Sequence, residues 1–353
     1  MSERVLMKGN EALAEAAIRA GCLHFFGYPI TPQTEVAAYM AKRLPKLDGV
    51  YLQAESEIGA INMVQGAAAA GVRAMTSSSS PGVSLKTEGI SYMAGADLPC
   101  LIANVQRGGP GLGGIQPSQA DYWQATRAPG HGDFHILVFA PAAVQEMYDL
   151  VGDAFDLADT YRMPAMILAD GMLGQMMEPV TLSEPKTSAP DKPWAANGHK
   201  NAREHHIVNS LYLQAAELER LIKERFARYE EIKQKHARCE EFMTDGAEII
   251  LVAYGASARV TKAAVKAARE KGIKAGCLRP VTLWPFPIAA LKKIAGTAKA
   301  FLCVEMSMGQ MVDDVRLAVE CSRPVEFFGH TGGIIPAPEE ILAKITELAG
   351  GIA

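Results

Sequence analysis

The sequence predicts an α/β protein made of two doubly wound parallel-sheet units, and three observations carry that prediction. Short apolar runs alternate with amphipathic stretches from residue 10 to about 185. The same rhythm restarts at 246 and runs to 353. Between them lies a polar, proline-rich segment without periodicity. We therefore divide the chain at 1–183, 184–245 and 246–353.

In the first unit the predicted strands are 24–26, 50–53, 73–76, 101–105, 136–139 and 165–168. The helical stretches 11–20 and 58–70 are closed by Gly21 and Gly71, the residue type favoured just past a helix end. Residues 184–206, with Ser183 before them and Pro185, Ser188, Pro190, Pro193 and Asn197 within them, read as a linker. From 207 to about 241 the pattern predicts one long, charge-laced helix that bridges the units or packs on a partner. The second unit has strands at 249–254, 275–278, 301–304 and 325–328, with a helix at 260–271.

Composition narrows the function. With 49% hydrophobic and 21% charged residues, a net charge of −4 and no basic block, the chain offers no surface for nucleic acid or an anionic membrane. No apolar run approaches the roughly 20 residues needed to cross a bilayer, and the N-terminus, Met1-Ser2-Glu3-Arg4, is polar, so a cytoplasmic protein is expected. The six cysteines, Cys22, Cys100, Cys239, Cys277, Cys303 and Cys321, stand singly, so they are expected to be reduced and mostly buried. An iron–sulfur cluster needs closely spaced thiolates, and no such run occurs, so the chain carries none by itself.

Ligands of open α/β sheets bind outside the carboxyl ends of the strands, which directs attention to the loops that follow them. After the first strand comes Gly27-Tyr28-Pro29-Ile30-Thr31-Pro32-Gln33, where Thr31 is suited to cap a helix beginning at Pro32 and an anion is favoured. After the second, Glu55 and Glu57 flank Ser56 at a helix start, and the residues alone leave the two carboxylates equivalent. After the third, the run Ser77 to Ser80 with Pro81 and Gly82 reads as a close backbone approach to a ligand, or as a helix cap. After the fourth, Arg107 precedes a glycine-rich stretch to Gly114, a guanidinium placed to clamp a carboxylate. Neither G-x-G-x-x-G at the first strand nor G-x-x-x-x-G-K-[ST] is present, and no paired Cys offers a metal site.

Four motifs in order, FGYPITPQTE (26–35), QAESEIGAINMVQGAA (53–68), MTSSSSPGVSLKTEGISYMAGADLPC (75–100) and NVQRGGPGLGGIQPSQAD (104–121), resemble the pyrimidine-binding domain of 2-oxoacid:ferredoxin oxidoreductases. The resemblance runs from Lys8 to about Glu178 and, more loosely, over 249–341, and is greatest to the α-type subunit of the 2-oxoisovalerate (branched-chain) enzymes. It implies a thiamine diphosphate-type pyrimidine domain followed by a smaller α/β domain like the transketolase C-terminal one. The implied activity is oxidative decarboxylation of a 2-oxoacid on thiamine diphosphate, with electrons passed through iron–sulfur clusters to ferredoxin and the acyl group transferred to coenzyme A.

By motif position, Glu57, which stands nine residues before Gly66, matches the glutamate that meets the cofactor aminopyrimidine, and Tyr28, Pro29, Ser79 and Gly82 border that cofactor. Thr31 and Arg107 match residues at the substrate carboxylate. The usual metal and diphosphate signature, Gly-Asp-Gly followed by Asn, is only approximated by Asp170-Gly171 and Asn197. Its first position is Ala169, and Asn197 falls in the linker, so no metal site is assigned to this chain. The resemblance then implies that Mg²⁺, the diphosphate and the [4Fe–4S] clusters are held by a β-type thiamine diphosphate-binding subunit, a γ-type subunit and a ferredoxin-like iron–sulfur subunit, with ferredoxin, a 2-oxoacid and coenzyme A as reactants. Other readings of the same layout are a 2-oxoglutarate or pyruvate enzyme, the β-type subunit of a lipoamide-linked dehydrogenase, and a non-catalytic α/β scaffold or ligand-binding protein.

Overall fold

The computed structural model describes residues 4–186 and 190–352. The first three residues of the N-terminal segment, Ser188 of the predicted linker and the C-terminal Ala353 lie outside the described residues.

In chain order, the first half comprises β1 (Arg4–Lys8), α1 (Gly9–Arg19), β2 (His24–Gly27), α2 (Thr34–Arg43), β3 (Val50–Gln53), α3 (Glu57–Ala69), β4 (Ala74–Ser78), α4 (Ser80–Gly95) and β5 (Cys100–Gln106). It continues with α5 (Tyr122–Thr126), β6 (Leu137–Phe139), α6 (Val144–Tyr161), β7 (Pro164–Asp170), α7 (Gly171–Gln175) and β8 (Met177–Thr181). The second half has α8 (Ala215–His236), β9 (Cys239–Phe242), β10 (Ile249–Val252), α9 (Gly255–Glu270), β11 (Ala275–Pro280), β12 (Thr282–Trp284), α10 (Ile288–Ala295), β13 (Ala300–Glu305), α11 (Met311–Ala318), β14 (Val325–Gly329) and α12 (Pro338–Ile352).

Among the described residues these strands form a seven-stranded sheet ordered β12-β6-β7-β5-β4-β2-β3, a five-stranded sheet ordered β14-β13-β10-β11-β9, and a two-stranded ribbon of β1 and β8. The central strands of the large sheet are parallel and buried along their whole length, β5 (CLIANVQ) and β7 (PAMILAD) among them. That is why they read as near-continuous apolar runs rather than alternating ones.

Three elements differ from the expectation. The predicted helix from 207 starts only at Ala215, because the Asn209 side chain accepts from the Leu211 amide (2.9 Å) and this local turn competes with helix. Residues Cys239–Phe242, expected as helix end, pair antiparallel with β11 as an edge strand. And β12, from the second half of the sequence, crosses over to pair antiparallel with β6 in the first sheet.

The linker, among its described residues, is irregular and lies over the amino-terminal edge of the large sheet, with Ala196 N on Ala69 O (2.7 Å) and the Arg162 guanidinium stacked on Trp194. The two sheets meet through the loop that leads into α5. Gln119 is wholly buried there. Its amide donates to Tyr254 O (2.8 Å), and its oxygen accepts from Ser257 Oγ (2.6 Å) and Met306 N (3.0 Å).

Candidate active site

In the large sheet the chain leaves β2 outward to β3 and returns to β4 on the other side of β2, so the strand order reverses between β2 and β4. A crevice opens at such a point, beyond the carboxyl ends of the strands. Its walls are the turn 28–33 after β2, the start of α3, the start of α4, and the loop after β5. Ser77 Oγ bridges the crevice floor to Gln33 Oε1 at 2.5 Å, both residues fully buried.

The structure separates the two glutamates. Ser56 caps α3 by accepting from Gly59 N (3.1 Å), which makes Glu57 the first helical residue and turns it inward, 7% exposed. Glu55 stays exposed, accepting from Ser56 Oγ (3.3 Å). The Glu57 carboxylate lies against α4 at Gly82. A methyl group there would come within 2.7 Å of Glu57 Oε1 and would overlap Ser78 Oγ, so only glycine lets the two helix starts approach this closely. On β4 and at the cap of α4, Thr76 Oγ1, Ser78 Oγ and Ser79 Oγ are buried with no hydrogen-bond partner within the chain. Orphaned hydroxyls of this kind are uncommon in a finished core, and an ordered water or a polar ligand would complete the set.

Arg107 closes the other side. It is 6% exposed, with Nη1 donating to Thr31 O (2.9 Å), Nη2 donating to Leu112 O (3.3 Å), and a buried Nε that has no partner. Among the described residues no carboxylate pairs with this guanidinium. Its backbone is fixed by Ser80, whose Oγ accepts from Arg107 N (3.0 Å) and donates to Asp121 Oδ2 (2.6 Å), where Asn104 Nδ2 also donates (2.9 Å). Burial pushes the Asp121 carboxyl upward, and these two donors oppose the shift.

Thr31 reaches Arg107 through its carbonyl oxygen and is not a helix cap. Residues 31 and 32 form a turn, the Asn10 amide holds Pro32 O (2.8 Å), and α2 starts at Thr34 with Gln33 as its cap residue. Tyr28 and Pro29 sit exposed on the rim, and among the described residues no hydrogen bond joins their side chains to Glu57 or Arg107. The Ser77 to Ser80 run is divided, two residues ending β4 and two opening α4, with Ser79 at the cap position. Gln33, Asn104, Asp121 and Lys86 were not singled out from the sequence. The detectable signal was the placing of Asn104 and Gln106 in an otherwise apolar strand, since a buried polar residue there needs a partner.

The second domain supports the crevice. A methyl group on Gly333 would overlap Gln116, so the turn after β14 abuts the glycine-rich loop. Asp170, fully buried, caps α7 by accepting from Leu173 N (3.0 Å) at the carboxyl edge, whereas Asn197 lies by the Ala69–Gly71 turn at the opposite edge. Among the described residues no cluster of His, Cys, Asp or Glu is arranged to hold a metal ion, and no helix is long and apolar enough to cross a membrane.

Residues 15–250 match the family model of the thiamine diphosphate-binding region of pyruvate flavodoxin/ferredoxin oxidoreductases, and 247–341 match pyruvate:ferredoxin oxidoreductase core domain II. The chain belongs to the 2-oxoacid:ferredoxin oxidoreductase family. A family relative, the ketoisovalerate oxidoreductase subunit VorB of Methanothermobacter marburgensis, is 48% identical over 346 residues, 98% of both chains. The 2-oxoglutarate synthase subunit KorA of Methanothermobacter thermautotrophicus is 38% identical, over 99% of this chain and 100% of that one. Among solved structures, the 2-oxoglutarate:ferredoxin oxidoreductase of Magnetococcus marinus superposes with a TM-score of 0.85 at 28% identity, covering 99% of this chain; the present chain spans 66% of that longer one. A split-gene transketolase shares the fold alone, with a TM-score of 0.60 at 14% identity.

Proposed function

We propose that this chain is the α-type subunit of a complex that oxidatively decarboxylates a branched-chain 2-oxoacid, 2-oxoisovalerate above all, to an acyl-CoA while reducing ferredoxin. One observation carries the site: Arg107 is a buried guanidinium with a free Nε and no acidic partner among the described residues, beside a buried glutamate and three unpartnered hydroxyls. A buried cation without a counter-ion is costly, and a substrate carboxylate supplies the missing charge in bidentate form. The identity of 48% to a ketoisovalerate subunit, against 38% to a 2-oxoglutarate one, supports the branched-chain substrate.

In this reading Glu57 shares a proton with the pyrimidine ring of thiamine diphosphate, and Ser78, Ser79 and Gly82, with Tyr28 and Pro29 on the rim, border that ring. The cofactor, when bound, supplies the carbon nucleophile for the oxoacid carbonyl and the sink for the electrons left after CO₂ departs. Arg107 and Thr31 hold the carboxylate in line, and the glycine-rich loop, backed by the second domain, shields it from water. The two units 1–183 and 246–353 thus share the task. Mg²⁺, the diphosphate and the [4Fe–4S] clusters fall to β-type, γ-type and ferredoxin-like partners, and coenzyme A enters as co-substrate. The free, singly placed cysteines support a reducing, cytoplasmic setting.

The test is Glu57→Gln in the complex purified with its natural partners. Loss of proton sharing at one atom should lower oxoacid-dependent viologen reduction by about 10² or more, with subunit composition and melting temperature retained. Wild-type turnover in that variant would remove Glu57 from the reaction.

A further inference from the structure

Lys86 is a fully buried lysine, 0% exposed, on the face of α4 that meets α3. Its ammonium donates to the carbonyl oxygen of Glu57 at 3.3 Å. Among the described residues no carboxylate lies in ion-pair contact with it, and the one charge that acts on it is that of Glu57. The position opposes two ordinary preferences: a lone ammonium is expensive to bury, and the amino-terminal turn of a helix disfavours a cation. A leucine or methionine would fill the same space without either penalty.

We propose that Lys86 is a positioning residue for Glu57: its ammonium fixes the first turn of α3 through the Glu57 carbonyl and so fixes where the Glu57 carboxylate points. The proposal rests on the reading of Glu57 given above. Held in this way, the Glu57 side chain keeps one direction from the start of α3 toward the ring it would meet. Burial pushes the Lys86 ammonium down to about 8, and the charge of Glu57 opposes this. Between about 8 and the ordinary 10.5 the unfolded chain binds more protons than the folded one. The contribution of Lys86 to stability therefore rises with pH across that window and is least favourable below it.

The experiment compares Lys86→Met, Lys86→Arg and Glu57→Gln in the purified multi-subunit complex, reading melting temperature and oxoacid-dependent viologen reduction against pH. Lys86→Met should melt at or above the wild type at pH 7, because a disfavoured charge is removed, yet turn over at least tenfold more slowly with little change in KM. The wild type should lose turnover as pH rises through about 8, and Lys86→Arg, charged throughout, should not show that decline. Wild-type turnover in Lys86→Met, or a clearly lower melting temperature there, overturns the proposal, the second by making Lys86 an ordinary structural residue. Glu57→Gln separates the two readings. If it is active, the Glu57 assignment fails; if it is inactive beside a fully active Lys86→Met, Lys86 alone is removed.

Discussion

At the scale of single residues the site depends on two placements, and each makes a prediction. Gly82 admits the Glu57 carboxylate, so Gly82→Ala should displace Oε1 from the 2.7 Å approach and lower turnover by at least tenfold while the chain still folds; turnover and a thermal melt measured together check this. Arg107→Ala should raise the oxoacid KM by about 10- to 100-fold, the equivalent of one charged hydrogen bond, with little change in the coenzyme A requirement. Arg107→Lys should not recover it, because an ammonium cannot reproduce the planar fork that meets two carbonyls and leaves Nε free. Both glutamates were visible in the sequence and motif position favoured Glu57, but the physical cause of their inequality was not legible: Ser56 caps α3, which sends Glu57 inward and leaves Glu55 in water. The arginine was legible because a lone guanidinium before five glycines has few structural uses. Its support by Ser80, Asn104 and Asp121 was not, since those contacts link positions up to 41 residues apart.

Among elements, the pairing of α3 with α4 sets the distance between Glu57, Lys86 and Gly82. Gly89 is a point of close contact, where an added methyl would lie 2.6 Å from Ile61 Cγ2. Gly89→Ala should push the helices apart, destabilise the chain by about 1–3 kcal/mol, and reduce turnover although residue 89 touches no reactant. Calorimetry and viologen reduction check the two parts. The alternation of runs was enough to anticipate the parallel strands, since a strand buried on both faces has to be apolar throughout. Edge strands carry no such signature, which is why β9 read as helix and β12 was not expected in the first sheet. Likewise the stretch before α8 has apolar spacing that suits a helix, but its Asn209 side chain, bonded to Leu211 N, favours a local turn instead.

For the whole molecule, the second domain packs against the loop that leads from β5 to α5. Gln119 joins two of its segments, the start of α9 through Tyr254 and Ser257 and the end of β13 through Met306, so Gln119→Ala should cost about 3 kcal/mol and separate the melting of the two domains. A single unchanged transition would show that the seam is not what couples them. The relatives this chain matches over nearly its whole length are named as subunits of larger enzymes. The most direct test of the central claim is the oxoacid preference of the purified complex, measured as kcat/KM for viologen reduction with coenzyme A and thiamine diphosphate present. The account predicts 2-oxoisovalerate well above both 2-oxoglutarate and pyruvate; a preference for either of the other two would contradict the branched-chain reading, and no reduction with any oxoacid by an intact complex would contradict the catalytic one.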